Sequence, residues 1–269
     1  RWGILYCLVS VSAMIGTAPI VGAHFNQISL VGLVSNLLVV PLLGSAAVVL
    51  GLTSAALLFI HTGLASLVVS CAGVVVWVGV WLVETIAAWP YAAISVVTPT
   101  FLELVLFYSL LVTLLFLSQL GSPVLKKVLL SGLLSAILLD GAYWTWQRYY
   151  QSDLRVSFLD VGQGDAAVVE FPGSQVMVID AGGFLSQTFD SGQAIVAPFL
   201  WQKKIGRVDT LVLSHPQLDH YGGLIFLAQH FGVKSLWFNG ELSDSKRFKR
   251  LIATLEENGV QTHVCAAIR

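Results

Sequence analysis

Between Arg1 and Glu84 the chain has no Asp, Glu, Lys or Arg. Ordinary soluble domains carry roughly 25% charged residues, which excludes one here. A bilayer tolerates such a run, and this one is long enough for several spans of about 20 residues each. The whole chain is 11% charged and 56% apolar, with a mean hydropathy of +0.81. The scarcity is also uneven: 7 of the 29 charged residues precede Gln151 and 22 follow it, so two domains with different solvents are expected. The reading is a polytopic α-helical membrane domain over residues 1–149, then an α/β soluble domain over residues 150–269.

Other absences narrow the classes further. Cys7, Cys71 and Cys265 are odd in number and far apart, which excludes a disulfide framework and a zinc knuckle. No Lys/Arg block reaches the density of a nucleic-acid-binding tail, the nearest being "KRFKR" at Lys246 to Arg250, and a net charge of −1 names no partner. The chain starts at Arg1 rather than Met, and no charged n-region with a cleavage site follows, so it is read as a truncated piece of a longer protein without a signal peptide.

Punctuation divides the apolar half into blocks at Trp2 to Pro19, Ile28 to Ile60 and Leu64 to Val83. The middle block is too long for one helix and contains Asn36 and Pro41. A short interfacial or re-entrant piece is therefore expected before a span starting at Leu43. Trp89, Tyr91 and two prolines mark an interfacial loop, and further spans follow at Phe101 to Leu120 and Val124 to Trp146, five or six in all. The "GSPVLKK" turn holds Lys126 and Lys127, the paired cations of this half, so the positive-inside rule puts it in the cytoplasm and residues from Gln151 outside. Arg148 and Arg155, just past the last crossing, pull the other way.

After Gln151 the period changes. "VSFLDVG", "AAVVEF", "QVMVID" and "DTLVLSH" are short β-branched runs bounded by Gly, Pro and Asp, which read as strands. Helical patterns over Gly192 to Lys203, Gly222 to Phe231 and Ser243 to Asn258 alternate with them, an α/β layer.

The stretch "LVLSHPQLDHYGGL" puts His215, Asp219 and His220 where a strand ends and a helix begins. Imidazole and carboxylate together suit zinc, manganese or iron, and a pair of ions would activate water and stabilise both oxygens of a phosphodiester displacement. Taken alone, the same string also fits a capped helix start with Asp219 near the free N–H groups of the first turn. His230 and His263 read as packed or solvated and are left out of the site. Glu84, Glu103 and Asp140 fall near span ends.

These residues resemble a family. "VMVIDAGG" followed by the His-x-x-x-Asp-His string is similar to the metallo-β-lactamase fold hydrolases. More closely, "VSFLDVGQGDAAVVEFPGSQVMVIDAGG" with "LVLSHPQLDHYGGL", preceded by "HFNQISLVGLVSNLLVVPL" in the apolar half, resembles the ComEC-type competence proteins. The resemblance implies an αββα-type soluble domain, truncated here, behind a multi-pass channel in the inner (plasma) membrane with the soluble domain extracytoplasmic. It implies DNA internalisation during natural transformation, with one strand passing through the channel and a metal-dependent nuclease-like domain degrading the other. The implied cofactor is a divalent metal, manganese or zinc, two ions in the full-length protein. The implied partners are DNA and the lipid bilayer, with other competence proteins and a second copy of the chain beside them.

Carried over residue by residue, the resemblance implies metal ligands at His215, Asp219 and His220. Gln217 stands where the family commonly has His or Asp, a weaker ligand. Asp180 matches the carboxylate that orients ligands from behind, Asp165 and Asp219 are the implied catalytic carboxylates, and Asp160 reads as structural. The implied later aspartate and second His-rich motif are not present, so the chain alone is expected to be inactive. Two other readings compete: a membrane-bound metallo-hydrolase of another substrate, and a channel whose hydrolase-like domain only binds DNA. The topology is testable. With Lys126 and Lys127 cytoplasmic, a cysteine placed at Gln202 in a Cys-free version reacts with a membrane-impermeant thiol reagent in intact spheroplasts. Protection until lysis would place the domain inside.

Overall fold

A charge-free chain in lipid must satisfy its backbone internally, and the first half does so as helices. The computed structural model describes residues 2–184 and 189–265, which divide into two compact units, Arg1–Ser95 and Val96–Arg269.

In the first unit, α1 (Trp2–Phe25) carries Pro19 inside it and leads to β1 (Gln27–Ser29). Next come α2 (Gly32–Val39), a π-helical stretch over Val40–Ala47 and α3 (Val48–Leu57), which run on as one helical rod. The expected break at Pro41 is therefore corrected. Proline has no N–H to give an α-helical ladder, but the wider π register absorbs the lost bond and the helix continues. After it, α4 (Thr62–Ala87) is capped by His61, whose Nδ1 accepts from Leu64 N at 3.2 Å. β2 (Ala93–Ser95) then pairs antiparallel with β1.

Ala65, Ala72, Gly79 and Ile86 recur every seven residues and form the buried stripe of α4. Small residues let helix backbones approach where burial from water cannot drive association. The Ser54 hydroxyl adds a 2.8 Å bond to the Ala65 carbonyl, and a Cβ on Gly79 would overlap Leu43. The large apolar side chains face out, among them Leu52, Leu67 and Trp77. Gly3–Phe25, Gly32–Leu57 and Thr62–Ala87 are long and apolar enough to cross a membrane, so the chain is a membrane protein.

Among the described residues three helices have both the length and the composition of a span, and the remaining expected spans fall on α5 (Phe101–Leu115) and α6 (Pro123–Tyr149). Of these two, α5 is shorter at 15 residues. α6 is 27 residues long but carries Lys126, Lys127, Asp140 and Arg148.

The second unit holds α5, α6 and the α/β layer. Its strands are β3 (Arg155–Phe158), β4 (Ala167–Glu170), β5 (Val176–Ile179), β6 (Thr210–Leu213), β7 (Ser235–Phe238) and β8 (Gln261–Val264). They form one sheet in sequence order, antiparallel from β3 to β5 and parallel from β5 to β8. The parallel connections carry α7 (Ala197–Gln202, entered through a π turn at Gly192–Val196), α8 (Leu218–Tyr221) with α9 (Leu224–His230), and α10 (Lys246–Glu257). The helix expected over Gly222 to Phe231 is α9, which begins at Leu224 because Gly222 and Gly223 form the turn that separates it from α8.

Alternation sets the core. Val176, Val178, Leu211, Leu213 and Leu236 point to one face and are fully buried against Leu200, Leu224, Leu227, Leu251 and Leu255 of the helices. Each such side chain contributes about 1.5–3 kcal/mol of burial.

Asp209 ties together the starts of three parallel strands. It stands just ahead of β6; its Oδ2 accepts from Val176 N (2.9 Å) at the start of β5, its carbonyl accepts from Lys234 N and Ser235 N at the start of β7, and its Oδ1 pairs with Lys234 Nζ (2.7 Å). Burial pushes the carboxyl up, but the Lys234 and Val176 bonds outweigh it and hold the pKa below the ordinary 3.8. A depressed carboxylate contributes stability above its unfolded pKa and loses it as pH falls through the folded value. Asp209→Asn is therefore expected to lower the melting temperature by a constant amount near neutral pH, and the gap from the parent should close as pH drops below 3.8. A gap unchanged into strong acid would remove the carboxylate from this role.

Candidate metal centre

In a parallel sheet, ligand sites form beyond the carboxyl ends of the strands. Here Asp180 directly follows β5, and Ser214 and His215 follow β6. Asp180 is buried and holds φ = 54°, a left-handed conformation uncommon outside glycine. Backbone bonds pin it, from Asp180 N to the Val212 carbonyl and from Ala181 N to the His220 carbonyl, both 2.9 Å.

The Asp180 carboxylate draws three groups together. Oδ1 accepts from Ser214 N (2.9 Å), while Oδ2 accepts from Ser214 Oγ (2.6 Å) and lies 2.8 Å from His220 Nδ1. A hydrogen bond at Nδ1 fixes the ring and its tautomer and leaves Nε2 with a free lone pair, the arrangement used to present a metal-binding imidazole. That Nε2 lies 3.9 Å from Asp219 Oδ2, on a side chain 44% exposed. The His215 ring packs against His220 with centroids 3.9 Å apart, and its Nδ1 is 3.0 Å from Ser214 Oγ.

Glycines allow the loops to close on α8. Gly164 (φ = 81°) lies against the Asp219 carbonyl and Gly183 against the Leu218 carbonyl; a Cβ at either would overlap that oxygen. A side chain at these positions would push away the turn that carries Asp219 and His220. Asp160 Oδ1 accepts from Gly162 N (3.0 Å) and shapes the neighbouring turn.

The other expected site residues sit less centrally. Gln217 is exposed and starts α8 in extended conformation, and its backbone carbonyl rather than its side chain accepts from His220 N and Tyr221 N. Asp165 is exposed, and its carbonyl accepts from Gly182 N (3.0 Å). Ser214, which joins Asp180 to His215, was missed in the sequence; a serine before a histidine carries no signal there.

Also unforeseen is a cavity of about 180 Å³ with Gly183 and Gly222 in its wall, lined by Phe184, Phe189, Asp190, Phe226, Arg247 and Arg250. Burial raises the Asp190 pKa against the opposing backbone bonds of Gln193 and Gly192 and the charge of Arg247.

As a seat for a divalent ion the described residues fit in part. His220 Nε2, the Asp219 carboxylate and the nearby His215 ring are the right donors, but among the described residues no three His, Cys, Asp or Glu side chains converge on one point.

A membrane domain followed by an α/β domain with this strand-end cluster defines the class: a membrane protein joined to a metallo-β-lactamase-like domain. Residues 1–121 match the family of the competence proteins, and residues 159–257 match the metallo-β-lactamase superfamily, whose members generally use divalent metals. Both domains in this order support a protein of the ComEC type. The chain is 28% identical over 263 residues to ComE operon protein 3 of Bacillus subtilis (strain 168), covering 93% of this chain and 33% of that protein. It is 34% identical over 79 residues to the uncharacterized protein YcaI of Escherichia coli (strain K12), covering 29% of this chain and 10% of that one. The chain thus spans a third or less of the length of these curated relatives.

The incomplete donor set has a measurable consequence. Calorimetric titration of the 269-residue chain with manganese or zinc is expected to show weak binding, with little DNA cleavage. Tight uptake of two ions would mean that the ligand set is larger than His215, Asp219 and His220.

Proposed function

We propose that the protein takes up DNA in competence, with residues 1–149 belonging to a channel for one strand and residues 150–269 to a metal-dependent nuclease domain that degrades the other. Domain order and the match to competence proteins support the uptake role. The nuclease reading rests chiefly on one observation, the 2.8 Å contact of Asp180 with His220 Nδ1, which leaves Nε2 free beside Asp219 at the strand ends.

In this reading His215, Asp219 and His220 are metal ligands, Gln217 is a weak one and Asp180 orients His220. Asp219 also serves catalysis with Asp165, and the full-length protein holds two ions, manganese or zinc. When bound, the metal would supply an activated water and charge neutralisation for phosphodiester cleavage. The protein sits in the inner membrane, with its soluble domain extracytoplasmic and DNA as its substrate. A second reading, a domain that binds DNA without cutting it, is favoured by the exposed neutral Gln217 and the absence of a converged three-donor set among the described residues.

Holding an ion differs from orienting its ligand. Loss of an orienting partner typically costs about 10–100-fold in metal affinity or activity. In the full-length protein, Asp180→Ala is expected to lose DNA-strand degradation by about that factor and to be partly rescued by millimolar manganese, whereas Asp219→Ala is not rescued. Equal rescue of both would remove the ligand assignment. If neither change affects degradation, the binding-only reading replaces the nuclease.

A further inference from the structure

A second groove lies at the opposite edge of the sheet from the histidines. Three of its lining residues come just ahead of parallel strands: Ser174 before β5, Asp209 before β6 and Lys234 before β7. Asp180, Ser214 and His215 follow β5 and β6 at the far ends. Four residues at about 3.3 Å each separate the two edges by roughly 13 Å, so the groove is not part of the metal centre.

The groove has a volume of about 550 Å³ and is lined by four cations, Arg148, Lys204, Arg207 and Lys234, with Asp209 as the acid in its wall. Lys234 pairs with Asp209, Lys204 with Glu103 (2.5 Å), and Arg148 lies 3.9 Å from Glu170 while donating to the Ser174 carbonyl (2.6 Å). Those three cations are thereby held in place. Arg207 is exposed and, among the described residues, makes no ion pair within 4.0 Å.

The remaining wall is the last two turns of α6, including Trp144 and Tyr149. The preceding turns expose Leu134, Leu138 and Leu139. Along one helix, then, an exposed apolar surface gives way to amphipathic aromatics and then to cations around a cavity. This is the order of acyl chain, interface and headgroup phosphate in a bilayer leaflet.

We propose that this groove binds the phosphate headgroup of an anionic phospholipid and seats the soluble domain on the bilayer. The inference rests on α6 crossing the membrane and is independent of the nuclease reading. A nucleic acid strand is the less favoured occupant, because the groove adjoins the apolar helix surface and lies a strand's length from the metal centre.

The test is native mass spectrometry of the chain in neutral detergent, with phosphatidylglycerol, phosphatidylcholine, inorganic phosphate and a single-stranded oligonucleotide as probes. Phosphatidylglycerol should be retained in preference to phosphatidylcholine. At roughly the weight of one surface cation per step, Arg207→Ala should weaken retention about five-fold and Arg207→Glu about thirty-fold, while Arg207→Lys keeps it. Arg207 is exposed, so the variants should melt like the parent, and Arg207→Lys controls for folding. Equal retention of both lipids, or no effect of Arg207→Glu, would overturn the proposal. Displacement of the lipid by equimolar inorganic phosphate would make this a free-phosphate site, and displacement by the oligonucleotide a nucleic-acid site; either result overturns the lipid assignment.

Discussion

The soluble domain turns on the Asp180 carboxylate. Buried at the end of β5, it would be costly without partners, and it takes three, from Ser214 N, Ser214 Oγ and His220 Nδ1. One side chain thus joins the ends of two parallel strands to the short helix α8. It forces its own backbone into the left-handed region to do so, strain that a well-determined site can hold. That carboxylate orients both the His220 ring and the Ser214 side chain.

Close backbone approach is the second constraint. Gly164 and Gly183 touch the carbonyls of Asp219 and Leu218, so the loops after β3 and β5 serve as the floor of α8. His220 is consequently buried while Asp219 stays half-exposed. A metal centre needs that contrast: a rigid imidazole with one free nitrogen, and a carboxylate reachable from solvent.

The two edges of the parallel sheet do different work. At the carboxyl edge, Asp180, Ser214 and His215 gather polar chemistry. At the amino edge, Asp209 holds the strand starts together and Lys204 bonds to the Thr98 carbonyl and to Glu103, which closes the capping box of α5 with Thr100. Glu103, read from the sequence as a charge near a span end, is therefore a helix cap and an ion-pair partner at once. The α5–α6 pair and the sheet are joined through named polar contacts, with Arg148 of α6 on the Ser174 carbonyl as another.

Much was legible along the chain. The missing charges before Glu84 required helices in lipid, the change of period after Gln151 marked the strands, and the His-x-x-x-Asp-His spacing marked a polar site, because composition and short-range periodicity depend only on neighbouring residues. Contacts between distant residues were not legible. The seven-residue stripe of α4 became an interface only when α3 packed on it, and Pro41 kept its helix only through a π turn. Strand β7 was not read at all, since "SLWF" gains its meaning from pairing with β6 and β8. Ser214, Asp190 and Arg207 are ordinary residues in the linear chain. The sequence alone determined which solvent each half requires and where the strand-end histidines fall; the tertiary structure decided which side chains face one another there, because hydrogen-bond geometry and charge proximity exist only once chain segments far apart in sequence are packed together.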